Sequence, residues 1–200
     1  MLQTVSKWVV NQLVVRGEIA EQRKAVYLYG CELILSTGLS VLCILLAGGV
    51  AGRFGQALSF VLFFMPVRTV SSGYHAPSYG KCFVLTTLLA FLCVSGGVLC
   101  RAYVPVWVMW CLFVTAQLVI WLRGPFRSHK HPLKEELVKR NRQYMHRMQM
   151  VEMAAGAALC LAGKQEIFDT AVMATITVAC MIVIAEKEEW KYVGNVGSAD

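Results

Sequence analysis

The sequence predicts an all-α polytopic integral membrane protein with about six transmembrane helices. Of its 200 residues, 57% are hydrophobic and only 16% are charged, against about 25% charged in an ordinary soluble domain. A soluble domain of this length could not keep so much apolar surface away from water, whereas a lipid bilayer is a natural solvent for it. We therefore expect residues 1–200 to form a single membrane domain in contact with the lipid bilayer.

The first element predicted is an amphipathic helix within residues 1–27 that lies on the membrane surface. Trp8 belongs at the level of the lipid headgroups, and polar residues alternate with apolar ones on either side of it. The apolar positions at roughly helical spacing are Leu2, Val5, Val9 and Leu13. Such a pattern is typical of a helix that binds an interface without crossing it.

Six apolar segments follow this helix. They cover residues 28–51, 54–70, 82–100, 103–122, 148–163 and 166–185. A membrane-spanning helix needs about 20 apolar residues, and only the first, third, fourth and sixth segments have that length. The short second and fifth segments are predicted to be tilted, shielded by neighbours or partly inserted. Their length is also compatible with a homodimer in which a second copy covers them.

The segments form three predicted helix pairs, 28–70, 82–122 and 148–185, and the charges between them predict their orientation. The connection 123–147 carries eight Lys or Arg residues. Because cationic connections stay in the cytoplasm, we place this basic loop, the loop 71–81, the tail 186–200 and both chain termini there. The turns near Arg53, Arg101 and Lys164 carry one cation each and belong on the opposite side.

The net charge of +7 does not indicate a nucleic-acid partner, since the cations are confined to short stretches between apolar segments. The eight cysteines do not indicate a disulfide framework either. Cys43, Cys93, Cys111, Cys160 and Cys180 lie well inside the apolar segments, where cysteine behaves as a small hydrophobic residue, and the sequence contains no CxxC. Free thiols in a reducing, cytoplasm-facing protein fit this distribution better.

One short stretch carries residues suited to catalysis. It reads RTVSSGYHAPSYGKC from Arg68 to Cys82 and places His75 seven residues before Cys82. A free thiol has a pKa of about 8.5 and is a poor nucleophile at neutral pH. A nearby imidazole can take its proton, a cation such as Arg68 favours the thiolate, and Gly73 lets the backbone turn.

His75 and Cys82 could also lie close in sequence without any catalytic role. With eight cysteines and four histidines in the chain, a close pair arises readily by chance, and histidines at membrane interfaces often only bind headgroups through hydrogen bonds. The polar, turn-rich context favours catalysis. So does the position of Cys82 at the start of a predicted helix, where the helix dipole stabilises a thiolate.

The order Arg68, Gly73-Tyr74-His75-Ala76 and Cys82 resembles the signature of the AgrB family. These proteins are membrane cysteine endopeptidases that process AgrD-type precursors of cyclic autoinducing peptides in Gram-positive bacteria. The family pattern has a Gly-Gly-x-His-Ala core and a cysteine seven residues after the histidine. This chain departs from it at Ser72. The basic, proline-bearing connection after the fourth segment, the length and the six-segment layout are also similar to the family.

The resemblance implies a quorum-sensing peptide processor in the Gram-positive plasma membrane. Cys82 would be the nucleophile and His75 its base, with Arg68 and Gly73 in supporting roles. The substrate would be an AgrD-type precursor, cleaved in its C-terminal part through a Cys82 thioester and cyclised to a thiolactone or a lactone. No cofactor is implied. The loop 71–81 would then be the active-site loop.

The basic connection has two interpretations. It fixes the topology by its charge, or it binds an acidic tail of the substrate, for which the candidate residues are Lys130, Lys134, Lys139 and Arg140. Its HxH pair, His129 and His131, is not accompanied by further ligands at suitable spacing, so we predict no metal site.

Two alternatives to a peptidase come from other classes: a small multi-pass transporter or exporter, and a membrane scaffold without chemistry. A transporter calls for paired charges or broken helices in the middle of the membrane, and the long apolar segments contain few. Glu152 and Asp169 lie close to predicted helix ends. They are functional candidates or residues that extend to the interface.

Overall fold

The computed structural model describes residues 2–71, 79–125 and 135–197, which form seven α-helices and contain no strand within those ranges. The helices are α1 (Leu2–Val15), α2 (Lys24–Val50), α3 (Phe54–Val70), α4 (Tyr79–Tyr103), α5 (Val106–Arg123), α6 (Glu135–Leu161) and α7 (Gln165–Gly197). A single 3-10 turn, Glu21–Arg23, precedes α2. The predicted all-α architecture is confirmed.

Four stretches are long and apolar enough to cross a membrane among the described residues. They are Glu21–Val50, Cys82–Tyr103, Val106–Arg123 and Gln165–Lys187, and they match the first, third, fourth and sixth predicted segments. Helix α3 coincides with the second segment at both ends, but it has only 17 residues. The prediction of a polytopic membrane protein is confirmed, and a total of six spans stays a prediction.

Helices α6 and α7 extend beyond the apolar segments that predicted them. The polar sequence that follows Glu135 is helical and continues without a break into the fifth apolar segment, 148–163. Helix α7 likewise passes the end of the sixth segment and reaches Gly197. Glu, Lys, Arg and Gln are good helix formers, so hydropathy shows where the apolar side chains stop and not where the helix ends.

Short turns join the helices into hairpins. Gly52, between α2 and α3, and Gly163, between α6 and α7, have φ of 68° and 70°, which glycine adopts without steric cost. The amide after each glycine donates to a carbonyl five residues earlier, at 2.7 Å and 2.9 Å respectively, so both helices end in a Schellman motif. The α4–α5 turn contains Pro105, whose fixed φ suits the start of a helix.

Helix α7 is the centre of the bundle, because α3, α4, α5 and α6 all pack against it. Its fully buried side chains include Phe168, Ala171, Val172, Ala174, Val178 and Ile182. Helix α2 packs on α3 and α4, and α1 packs on α2. Because lipid tails are as apolar as leucine, such a bundle is stabilised by close packing and not by exclusion of water.

Glycines permit the closest approaches to α7. A Cβ atom on Gly97 of α4 would lie 2.6 Å from Thr170 Oγ1 and 2.8 Å from the Thr170 amide nitrogen. A Cβ atom on Gly55 of α3 would lie 2.8 Å from Ile167 Cδ1. Both α3 and α4 are therefore seated against the beginning of α7, at the end of the bundle that carries the short turns.

An aromatic cluster joins α3, α5 and α7 in the core. The ring of Phe168 lies 5.6 Å from that of Phe113 and 4.8 Å from that of Trp110, and Phe63 lies 6.1 Å from Phe113. Gly156 of α6 packs directly onto this cluster, since a Cβ there would approach both Phe113 and Phe168 to within 3.2 Å. The Phe113 and Phe168 rings meet edge to face, and such contacts add to the stability that burial provides.

Helix α1 has one buried and one exposed face. Ser6 and Val10 are buried, whereas Trp8 is 64% exposed and Val5 is 49% exposed. The exposed apolar residues are available to lipid, as the predicted interfacial helix requires.

We expect Gly97→Ala to destabilise the bundle by about 1–3 kcal/mol, the usual cost of overpacking, because the new methyl group meets the Thr170 backbone. Gly38→Ala on α2 is the control, since a Cβ there has no neighbour within 4 Å. Thermal unfolding in detergent micelles measures both variants. Equal midpoints for the two variants would show that the α4–α7 contact is not as close as described.

Candidate active site

The described part of the candidate site is formed by the end of α3 and the start of α4. Arg68 lies in the last turn of α3, and Cys82 lies in the first turn of α4. At the end of α3, the Ser71 amide makes the last α-helical hydrogen bond, to the Val67 carbonyl at 2.9 Å, and the Ser71 hydroxyl donates to the Arg68 carbonyl. The two predicted residues therefore occupy helices and not the loop between them.

The structure brings Arg68 and Cys82 together. Arg68 is only 8% exposed, and its Nη2 atom donates to Cys82 Sγ at 3.5 Å. Its Nη1 atom donates to the hydroxyl of Thr86 at 2.8 Å. Cys82 is a partly exposed free thiol.

The guanidinium also rests on an aromatic ring. Its central carbon lies 5.2 Å from the centroid of Phe64, one turn earlier on α3, and Phe64 in turn stacks on Phe60 at 4.7 Å. A cation over an aromatic face is electrostatically favourable, the more so where water is excluded. Phe64 and two hydrogen-bond acceptors thus fix the plane of the guanidinium.

Sequence reasoning did not identify Thr86 and Phe64. Thr86 lies four residues after Cys82 and Phe64 four residues before Arg68, and residues at this spacing share one face of a helix. The spacing is the only signal that the sequence offers, and many other residues satisfy it.

Several predicted site residues lie outside the described residues. His75 and Gly73 belong to the connection 72–78, and Lys130 and Lys134 belong to the connection 126–134. The pairing of His75 with Cys82 therefore stays a prediction. No group of three or more potential metal-ligating side chains occurs in the parts of the chain that the structure describes.

The other two predicted substrate-binding residues, Lys139 and Arg140, are both exposed on α6. Arg142 and Arg147 on the same helix are exposed too. We call these four residues the basic face of α6. Their side chains are accessible to a partner.

The two carboxylates near helix ends do not extend to the interface. Asp169 is 1% exposed and Glu152 is 5% exposed. The Glu152 carboxylate accepts a hydrogen bond from Gln117 at 2.8 Å, and the Gln149 amide group donates to the Gln117 side-chain and backbone oxygens at 2.8 Å and 2.7 Å. These three side chains form a buried polar network between α5 and α6.

A family model described as accessory gene regulator B matches residues 5–184, which include Arg68 and Cys82. Neither the curated proteins nor the solved structures provided a match.

We expect Glu152→Gln to leave the stability unchanged or slightly raised. The new side-chain oxygen still accepts from Gln117, and the new amide can donate to Gln149 Oε1, which has no partner among the described residues. Glu152→Leu leaves the Gln117 amide without an acceptor, at a cost of about 1–3 kcal/mol. Unfolding midpoints in detergent compare the two, and a lower midpoint for Glu152→Gln than for Glu152→Leu would contradict the network.

Proposed function

This chain belongs to the accessory gene regulator B family, and we propose that it is a membrane cysteine endopeptidase with Cys82 as its nucleophile. Membership in the family supports a general role in processing accessory gene regulator peptides, with an AgrD-type precursor as substrate and lipid as the surroundings. The contact between the Arg68 guanidinium and Cys82 Sγ supports the specific chemistry. A cation at this distance interacts more strongly with a thiolate than with a thiol, and the thiolate is the nucleophile.

The position of Cys82 supports the same role. It lies in the first turn of α4, where the unpaired amides and the helix dipole create a partial positive charge. Cys82 thus belongs to the first turn of a helix, and its sulfur contacts a buried guanidinium. No other cysteine among the described residues accepts a hydrogen bond from an arginine in the structure.

The proposed reaction has two acyl-transfer steps. In the first, His75 takes the thiol proton, the Cys82 sulfur attacks a peptide carbonyl of the precursor, and the C–N bond breaks as His75 returns the proton to the leaving amine. A thioester then joins the substrate to Cys82. In the second, a thiol of the substrate loses its proton and attacks the thioester, which releases a thiolactone and the Cys82 thiol. A substrate hydroxyl in that position would give a lactone.

The energetics of the two steps differ. The second exchanges one thioester for another and is close to neutral, whereas the first converts an amide to a thioester and is uphill. Removal of the cleaved tail or of the ring draws the first step forward. Cyclisation must also be faster than hydrolysis, which requires a site partly shielded from water. The half-buried position of Cys82 beside the bundle provides such shielding.

We further propose that the basic face of α6 binds an acidic tail of the precursor. Its four cations are exposed and lie on the polar half of the helix, and Lys130 and Lys134 immediately precede that helix in sequence. Charge complementarity would raise the rate of encounter with an anionic peptide. The proposed setting is the plasma membrane of a Gram-positive bacterium, with the chain as a monomer or a homodimer.

We expect Cys82→Ala and His75→Ala to abolish cleavage of a precursor from the genomic neighbourhood, because each variant lacks one half of the acyl-transfer pair. The exposed Cys111 on α5 provides the matched control, and Cys111→Ala should cleave normally. Mass spectrometry follows the products, and only wild type and the control should form an acyl-enzyme that hydroxylamine releases. Cleavage by Cys82→Ala would refute the assignment of the nucleophile and favour a transporter or scaffold.

We expect the double variant Lys139→Glu/Arg140→Glu to raise KM with little change in kcat, since it alters binding and not chemistry. The wild-type KM should rise with ionic strength and that of the variant should not. Arg16→Glu/Arg23→Glu has the same change of net charge at two exposed residues before α2 and is the control. An equal rise of KM in both double variants would show that net charge alone matters, and not the basic face.

A further inference from the structure

Thr86 occupies an unusual position in the described part of the site. It lies one turn after Cys82 on α4, so both side chains point from the same face of that helix. Thr86 is only 2% exposed, and its hydroxyl accepts the Arg68 Nη1 hydrogen bond at 2.8 Å. One guanidinium from α3 therefore contacts two successive turns of α4.

Five other helical threonines behave differently. The hydroxyls of Thr87, Thr115, Thr170, Thr175 and Thr177 each donate to a carbonyl four residues earlier in their own helix. That is the ordinary way in which a helix satisfies a hydroxyl in an apolar environment. The hydroxyl of Thr86 instead serves as an acceptor for a charged side chain of another helix.

The geometry of the guanidinium couples the two contacts. Its donors point in fixed directions within one plane, so a bond from Nη1 to Thr86 sets the direction of Nη2. The ring of Phe64 supports one side of that plane. With these two constraints in place, Nη2 lies 3.5 Å from Cys82 Sγ.

We propose that Thr86 is a positioning residue that holds the Arg68 guanidinium against the sulfur of Cys82. Thr86 does not touch the reacting atoms and acts through Arg68. Its effect on cleavage rests on the proposed function, whereas its effect on the charge beside Cys82 does not. A measurement of that charge therefore tests the proposal even if no precursor is cleaved.

The rates at which iodoacetate and iodoacetamide alkylate Cys82 measure that charge. The two reagents have similar size and attack the same sulfur, but only iodoacetate is an anion. The fraction of thiolate and the accessibility of the sulfur affect both rates in nearly the same way, so they largely cancel in the ratio. The ratio therefore reports the electrostatic potential at the sulfur. Peptide-level mass spectrometry of the intact membrane protein follows Cys82 separately from the seven other cysteines.

We expect Thr86→Val to lower the iodoacetate-to-iodoacetamide ratio by about threefold or more at low salt, where a nearby cation is least screened. Thr86→Ser keeps the hydroxyl and should restore the wild-type ratio. Thr87→Val is the matched control, because that hydroxyl bonds only within α4. Arg68→Gln removes the charge and sets the lowest ratio expected. Cleavage, where a precursor is available, should follow the same order.

Three results would overturn the proposal. An unchanged ratio in Thr86→Val would show that the guanidinium keeps its place without the hydroxyl. A low ratio in Thr86→Ser would assign the effect to packing of the methyl group. An unchanged ratio in Arg68→Gln would contradict the contact from which the inference starts.

Discussion

The close packing of α3 and α4 against α7 is the constraint on which the rest of the structure depends. Gly55 and Gly97 bring the two helices onto the start of α7, and from there each helix runs to the opposite end of the bundle. Arg68 and Cys82 lie together at that far end. Each is about 20 Å along its helix from the glycine contact with α7, at the rise of 1.5 Å per residue of an α-helix. The position of the guanidinium relative to the sulfur thus follows from how two rigid helices are seated far from the site.

The same packing explains how a chain in lipid holds buried polar groups. Water cannot compensate an unmet hydrogen bond in this environment, and several buried polar side chains have their partner on another helix. Between α5 and α6, Gln117 donates to Glu152 and Gln149 donates to Gln117. Between α3 and α4, Arg68 donates to Thr86 and Cys82. Each network also fixes how two helices are rotated against each other, which apolar packing alone specifies less strictly.

Apolar segments predicted the helices well where the helix and the hydrophobic stretch have the same bounds, as in α3. They failed to show the extent of α6 and α7, because those helices continue through polar residues with good helix propensity. The burial of Glu152 was not predictable, since it depends on which neighbour faces that side chain. For the site, a motif was enough to select Arg68 and Cys82. Thr86 and Phe64 required the three-dimensional arrangement, because their roles arise from contacts with a guanidinium.

The three tight turns determine how much of the chain is exposed at one side of the membrane. The helices at that end are joined by only three, two and three residues, at 51–53, 104–105 and 162–164. So little chain projects there that a protease added from that side finds almost no exposed loop to cleave, and an antibody finds almost no epitope. The charge distribution predicts that this end faces the cell exterior. In that orientation, a cell carrying this protein presents hardly any of it to its surroundings, and Cys82, the proposed nucleophile, lies on the cytoplasmic side.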